Sequence, residues 1–229
     1  MKVHLKDGDY FQKKLDKRRF FNEVISHEIA ENVGLQTPFL KYVRKEEDYI
    51  LFSKDFREEG KEYVQGYYHS PMFYSLPFVH DSIASYEKFL YTLQEPNASI
   101  FLLQLLKMSL FDAFREEQDR SGRNYFFEKD HYENMILLDH SECFFGKPHY
   151  FISNQQFTLS PKRNDMVVYL KKYKELYEFM RKLLSIDMET LLQQIEQHYE
   201  LEIPHSFELE YIDGVQKTKK VFQKWKNKM

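Results

Sequence analysis

A single cysteine, Cys143, a single tryptophan and only seven glycines stand out as scarcities in a chain of 229 residues. One thiol excludes an internal disulfide and a zinc site built on several cysteines, and it makes a reducing, cytoplasmic compartment the expectation. No apolar stretch follows the start MKVHLKDGDYFQKK, and the greasiest segment, Ile100 to Phe114, is cut by Gln104, Lys107 and Asp112. Neither a secretion signal nor a membrane span is therefore read from the sequence. Charge of one sign is also missing: 33 Lys and Arg against 36 Asp and Glu leave a net charge of -3, which argues against a protein devoted wholly to nucleic acid or anionic membrane. The glycines never cluster, so no Gly-rich phosphate cradle is visible. What is plentiful is aromatic residues, at 17%, within 42% hydrophobic and 30% charged residues. That composition supplies a core and a solvated surface, and the length suits one domain or two lobes sharing a cleft.

Along the chain, Val3 to Lys6 alternate like a short strand, and Asp7-Gly8-Asp9 reads as a turn. From Phe20 to Val33 apolar residues recur every three or four positions, and Gly34 stands where a helix end wants left-handed backbone. Two β-prone runs, Phe39 to Arg44 and Tyr49 to Ser53, fit a hairpin. Residues 55 to 80 show no clean period and read as a connector with short helical pieces. Asn97 is the expected N-cap of a buried helix from Ala98 to about Phe114. Asn124 to Phe127 and Met135 to Leu138 form a second expected hairpin, and residues 165 to 199 read as helical, with Val168, Leu176, Phe179, Met180, Leu183 and Leu191 facing the core.

The chemistry concentrates in Gln118-Asp119-Arg120-Ser121-Gly122-Arg123-Asn124 and in Leu138-Asp139-His140-Ser141-Glu142-Cys143-Phe144. An Asp, an Asn five residues later and a second Asp at the end of the next hairpin form the arrangement by which kinase-like phosphotransferases hold a catalytic carboxylate and metal-bound phosphates. The loop lets Asp119 face an incoming hydroxyl, and the hairpin returns Asp139 beside Asn124, so that both offer hard oxygen donors suited to magnesium.

These residues resemble the HipA-like kinases, distant relatives of the phosphoinositide kinases. The matching segments are Asn22-Glu23, Glu28-Ile29-Ala30 and Gly34-Leu35-Gln36-Thr37-Pro38, then Asp119-Arg120 with Asn124, then Leu138-Asp139-His140 with Phe144. The resemblance implies an α+β, two-lobed protein-kinase-like fold. A small sheet-plus-helix lobe over residues 1–54 would precede a larger, mainly helical lobe over residues 55–229. It implies magnesium-dependent transfer of the ATP γ-phosphoryl to a hydroxyl, such as Ser or Thr of a protein. Asp119 would be the general base or substrate-orienting carboxylate, and Asn124 and Asp139 the metal ligands. Glu23 would pair with an ATP-binding lysine, for which Lys6 is the first choice and Lys2 the alternative. Phe52, Ser53 and Lys54 fall at the hinge whose backbone would bind adenine.

Kinases cover the ATP phosphates with a loop from strands ahead of the lysine strand, and Val3 leaves no room for them. Either those strands are missing, a partner polypeptide supplies them, or the chain is a pseudokinase-like interaction protein with little turnover. A third expectation concerns the last lysines, Lys217 to Lys228, which surround Val221, Phe222 and Trp225. They could form a basic amphipathic helix for nucleic acid or an anionic surface, although a packed terminal helix with a solvated lysine face is commoner. His140, Cys143 and His149 are read as structural residues rather than a zinc site.

Overall fold

The computed structural model describes residues 1–45, 48–66, 94, 96–117, 120, 123–144 and 163–229. Strands β1 (Lys2–Leu5) and β2 (Gly8–Leu15) form a hairpin that leads into helix α1 (Lys17–Val33). A second hairpin follows, β3 (Leu40–Lys45) with β4 (Asp48–Lys54), and inserts beside β2 to give one antiparallel sheet in the order β1-β2-β4-β3. Strand β5 (Tyr63–Gln65) joins β6 (Tyr125–Glu128) and β7 (His131–Leu137) in a second sheet, with helix α2 (Asn97–Arg115) between them in sequence. Among the described residues four helices follow: α3 (Arg163–Lys172), α4 (Lys174–Ser185), α5 (Met188–Tyr199) and α6 (His205–Lys226).

Helix α1 is the centre of the molecule because its apolar residues are not confined to one stripe. Phe20, Phe21, Val24, Ile25 and Ile29 are all fully buried, and the helix packs on β2 and β4 on one side and α4 and α5 on the other. Asp16 opens it by accepting from the Arg19 amide, and Gly34 closes it at φ 82°, where a Cβ would be strained. Helix α2 packs on β7, α4 and α6. Its buried ring Phe101 leans on Phe127 with centroids 4.8 Å apart, which ties the second sheet to the helical layer.

Several expectations shift here for local reasons. Gly8 belongs to β2 rather than to a turn, and the hairpin reverses at Lys6 and Asp7. Asn97 is the first helical residue of α2 and not its cap; Pro96 precedes it, with no side-chain cap. Val168 is 61% exposed, whereas Leu176, Phe179, Met180, Leu183 and Leu191 are buried. The connector contains β5, a strand too short to show a period. It is held by pairing Tyr63 with Glu128 and ends at Gly66, where a Cβ would lie 2.1 Å from the Tyr125 ring. Residues 67–80 of that connector lie outside the described residues.

The amphipathic C-terminal reading also changes. Phe222 and Trp225 are buried on α6, stacked at 5.1 Å, and Phe222 meets Phe114 of α2, so that apolar face is already used by the core. Among the described residues no helix is long and apolar enough to cross a membrane.

Behind α2, Glu116 adopts a left-handed backbone, φ 56°, and buries both carboxylate oxygens without a hydrogen-bond partner against Gly214 of α6. Burial raises its pKa, Lys217 partly opposes this, and Asp213 adds to it. A raised folded-state pKa means the folded state holds the proton more tightly, so stability falls as pH climbs from the ordinary carboxyl range through the raised value. Glu116→Gln is therefore expected to stabilise the protein by about 1 kcal/mol at neutral pH. It should also remove the fall in stability that Glu116 contributes as pH rises above the ordinary carboxyl range, read in denaturant titrations run at several pH values. A neutral or destabilising change at pH 7 would show that the ionised carboxylate is accommodated.

Candidate active site

Between the two sheets lies a cleft of about 310 Å³, walled by β2 and β4 on one side and by the segments around Asn124 and Asp139 on the other. At its inner end the Lys13 ammonium sits 2.8 Å from Glu23 and 2.9 Å from Asp139. The Glu23 side chain is only 4% exposed, and its second oxygen accepts from the His140 amide at 2.9 Å. Burial pulls the Lys13 pKa down, but Glu23 and Asp139 more than offset it and leave it raised. For Asp139 burial pushes upward, and Lys13 with the Ser141 hydroxyl reverses the sign, leaving the carboxyl below its usual value. Lys13 and Asp139 are therefore both charged at neutral pH.

Glu23 is paired as expected of a helix carboxylate, but its lysine is Lys13 and not Lys6. Lys6 lies exposed in the β1–β2 turn, and Lys2 pairs with Asp9 at 2.7 Å and Asp55 at 3.3 Å. The correction has a simple cause: β2 is the strand that runs directly into α1, which carries Lys13 to the first turns of that helix, whereas Lys6 lies at the far end of the hairpin. It also means that β1 does precede the lysine strand.

Asn124 and Asp139 line the same cleft. Their approach follows from β6–β7 pairing, which sets Tyr125 opposite Leu137 and lets the Leu138 amide donate to the Asn124 carbonyl at 2.8 Å. Arg120 fastens the junction. Its guanidinium donates to both oxygens of Asp112 at 2.9 and 3.0 Å and to the carbonyls of Asn124 and Leu138 at 2.9 and 2.8 Å. Asp139 takes a left-handed backbone, φ 53°, which is uncommon away from glycine and is found where surroundings over-determine a residue.

With this geometry in place, comparison with solved structures is informative. The protein matches the Helicobacter pylori proinflammatory kinase CtkA with a TM-score of 0.68 over 99% of this chain and 94% of that chain, at 13% sequence identity. This chain has a kinase fold. A chain from the Shewanella oneidensis MR-1 toxin–antitoxin complex of HipA, HipB and operator DNA also matches, with a TM-score of 0.48 and 12% identity, covering 89% of this chain and 55% of that one. No protein-family model and no curated protein matches the sequence.

In this kinase fold, Ser53 and Lys54 line the cleft, but the hinge backbone expected to bind adenine is engaged in the sheet. β4 is flanked on both sides: Ser53 faces Phe11 and Leu40, and Phe52 faces Gln12 and Lys41. The Lys54 amide donates to Phe39 and the Asp55 amide to Asp9. The Lys54 and Asp55 amides are thus taken, and Phe56, just beyond them, also lines the cleft. Asp119 lies outside the described residues, as does His149. Cys143 is fully buried, with its thiol 3.3 Å from Ser26 and donating to the His140 carbonyl at 3.0 Å, and burial pushes its pKa up.

Sequence reasoning missed the buried ion network behind the cleft. Arg115, fully buried, donates to Asp112 at 2.9 Å, Glu117 at 2.8 Å and Ser26 at 2.8 Å, while Arg120 shares Asp112 with it. Two cations face two carboxylates, which is the balance a low-dielectric interior demands. Burial and the adjacent Arg115 and Arg120 hold His140 well below the ordinary imidazole value, so it is neutral and accepts from Arg120 at Nδ1, 3.2 Å away.

Proposed function

We propose that this protein is a kinase-type phosphotransferase that binds ATP with magnesium in the cleft and transfers the γ-phosphoryl to a hydroxyl, on Ser or Thr of a protein. The observation that carries this reading is the Lys13 ammonium held between Glu23 and Asp139 at 2.8 and 2.9 Å in a protein of kinase fold. Lys13 would take phosphate oxygens in exchange for its contact with Asp139. Asp139 and the Asn124 amide would hold magnesium; both are oxygen donors facing one cleft, and Asp139 is 41% exposed, which suits a hard cation that keeps water and phosphate in its shell. The metal would neutralise charge developing on the phosphates. Asp119 would orient the acceptor hydroxyl.

One observation favours slow turnover. The turn of the β1–β2 hairpin is only Lys6 and Asp7, with Asp7 tied to Lys41 at 2.5 Å and to Tyr10 at 2.7 Å, and so short a turn brings few backbone donors to phosphates. β1 is an edge strand among the described strands, so its free backbone groups are where a strand from another polypeptide would add. Turnover by the chain alone should fall below the ordinary kinase range of about 1 to 100 per second. The test is transfer of labelled phosphate from ATP to protein, with Asp139→Asn weakening the magnesium-dependent part of nucleotide binding and Asp119→Asn sparing binding while removing transfer. Nucleotide binding that ignores magnesium and survives Asp139→Asn unchanged would sink the reading.

A further inference from the structure

Helix α1 touches the segment after Asp139 at more points than the Glu23 pairing requires. Arg18, Asn22 and Ser26 are spaced four residues apart and therefore share one helix face. That face is laid along residues 141–144. The Asn22 amide nitrogen donates to the carbonyls of Ser141 at 2.8 Å and Cys143 at 2.6 Å. Arg18 donates to the Phe144 carbonyl, and Ser26 meets the Cys143 thiol. The Phe144 amide in turn donates to the Arg115 carbonyl at 2.9 Å.

The Asn22 side chain could serve this purpose in only one orientation. Two carbonyls accept only from its NH2 group, so its oxygen must face the other way, into the interior, where a donor is needed. The Tyr211 hydroxyl of α6 supplies it at 3.0 Å. Tyr211 is fully buried, and burial raises its pKa, so the hydroxyl keeps its proton and remains a donor. Its ring packs edge-on to Phe144 at 5.1 Å and carries the Arg18 guanidinium at 5.2 Å. Arg18 is itself anchored to α6 through Glu210 at 2.5 Å.

We infer that Tyr211 is a positioning residue for Asp139: it fixes Asn22, Asn22 fixes the carbonyls of residues 141 and 143, and this holds the left-handed backbone at Asp139 that aims its carboxylate into the cleft. Helix α6, distant in sequence, thereby acts as a brace for the candidate metal site. The inference rests on the proposed function for its consequence, but not for its geometry.

The experiment uses the full chain with Tyr211→Phe, which keeps the ring against Phe144 and Arg18 and removes only the donor. Phe222→Leu is the control, a core change on the same helix about three turns along from the Asn22 contact. ATP affinity is measured by calorimetry with and without magnesium, and exchange of the His140 and Phe144 amides by NMR. Tyr211→Phe is expected to weaken magnesium-dependent ATP binding about tenfold and to leave magnesium-free binding within about twofold. It should also speed exchange at His140 and Phe144 more than Phe222→Leu does. Equal effects of the two variants on exchange and on binding would reduce Tyr211 to ordinary core packing and overturn the inference. If the unaltered chain shows no magnesium-dependent ATP binding, the proposed function fails, and the brace is judged by exchange alone: selective loosening supports it, and unchanged exchange overturns it.

Discussion

Lys13→Met is expected to reduce phosphate transfer by about a hundred- to a thousandfold, while Lys6→Met leaves it within about twofold. The difference follows from where the two ammonium groups are. Lys13 is two-thirds buried, between a carboxylate on α1 and one at the end of the β7 hairpin, whereas Lys6 is exposed in a turn. Removing Lys13 also leaves Glu23 and Asp139 as neighbouring anions with no cation between them, which should lower stability by about 1–3 kcal/mol. The two consequences can be separated. Adding Glu23→Gln to Lys13→Met should recover much of the stability, since the buried charge goes, and none of the transfer, since no cation is restored for the phosphates. Denaturant midpoints and transfer rates for the four proteins measure both. A Lys6→Met variant as inactive as Lys13→Met would mean that the lysine strand is β1 after all.

The contrast between these lysines also explains what the amino-acid pattern could reveal. Helix α1 was legible because its apolar residues repeat at helical spacing and Gly34 ends them; the β3–β4 and β6–β7 hairpins were legible because their apolar runs flank short polar turns. β2 was hidden because Gly8-Asp9 reads as a turn and Lys13-Lys14 interrupt the alternation, although the strand has apolar Tyr10 and Leu15 buried at its two ends. Its place is set by pairing with β1 and β4, which no local pattern records. The convergence of Asn124 on Asp139 was readable from the hairpin between them. The cluster of Asp112, Arg115, Glu117 and Arg120 was not, because charged residues at a helix end look solvated until tertiary packing buries them. One signal was available: Asp112 and Arg115 stand three apart near the end of a largely apolar helix, where a pair can form.

Arg120→Lys is expected to be among the most damaging conservative changes in the protein, costing about 3–5 kcal/mol. A guanidinium carries five N–H groups in a fixed plane. Here they meet five acceptors: two oxygens of Asp112, the carbonyls of Asn124 and Leu138, and Nδ1 of His140. The side chain is only 2% exposed, so no water can replace a lost donor. A lysine brings three donors on a single nitrogen, which cannot span a carboxylate on α2 and two carbonyls on separate segments at once. Some of these acceptors would be stranded, and Asp112 would lean on Arg115 alone, itself shared with Glu117. In a chain of this length the loss should lower the thermal midpoint by on the order of 10 °C. Arg181→Lys, on the exposed pair with Glu178, should move it by less than about 2 °C. The chemical consequence should outrun the thermal one, because the same guanidinium holds Asn124 against Leu138 and so sets the spacing of the two oxygen donors in the cleft. Magnesium-dependent nucleotide binding is therefore expected to be weakened even at temperatures where Arg120→Lys remains folded. A variant that melts like the unaltered protein would show that the five contacts are worth no more than those of an exposed arginine.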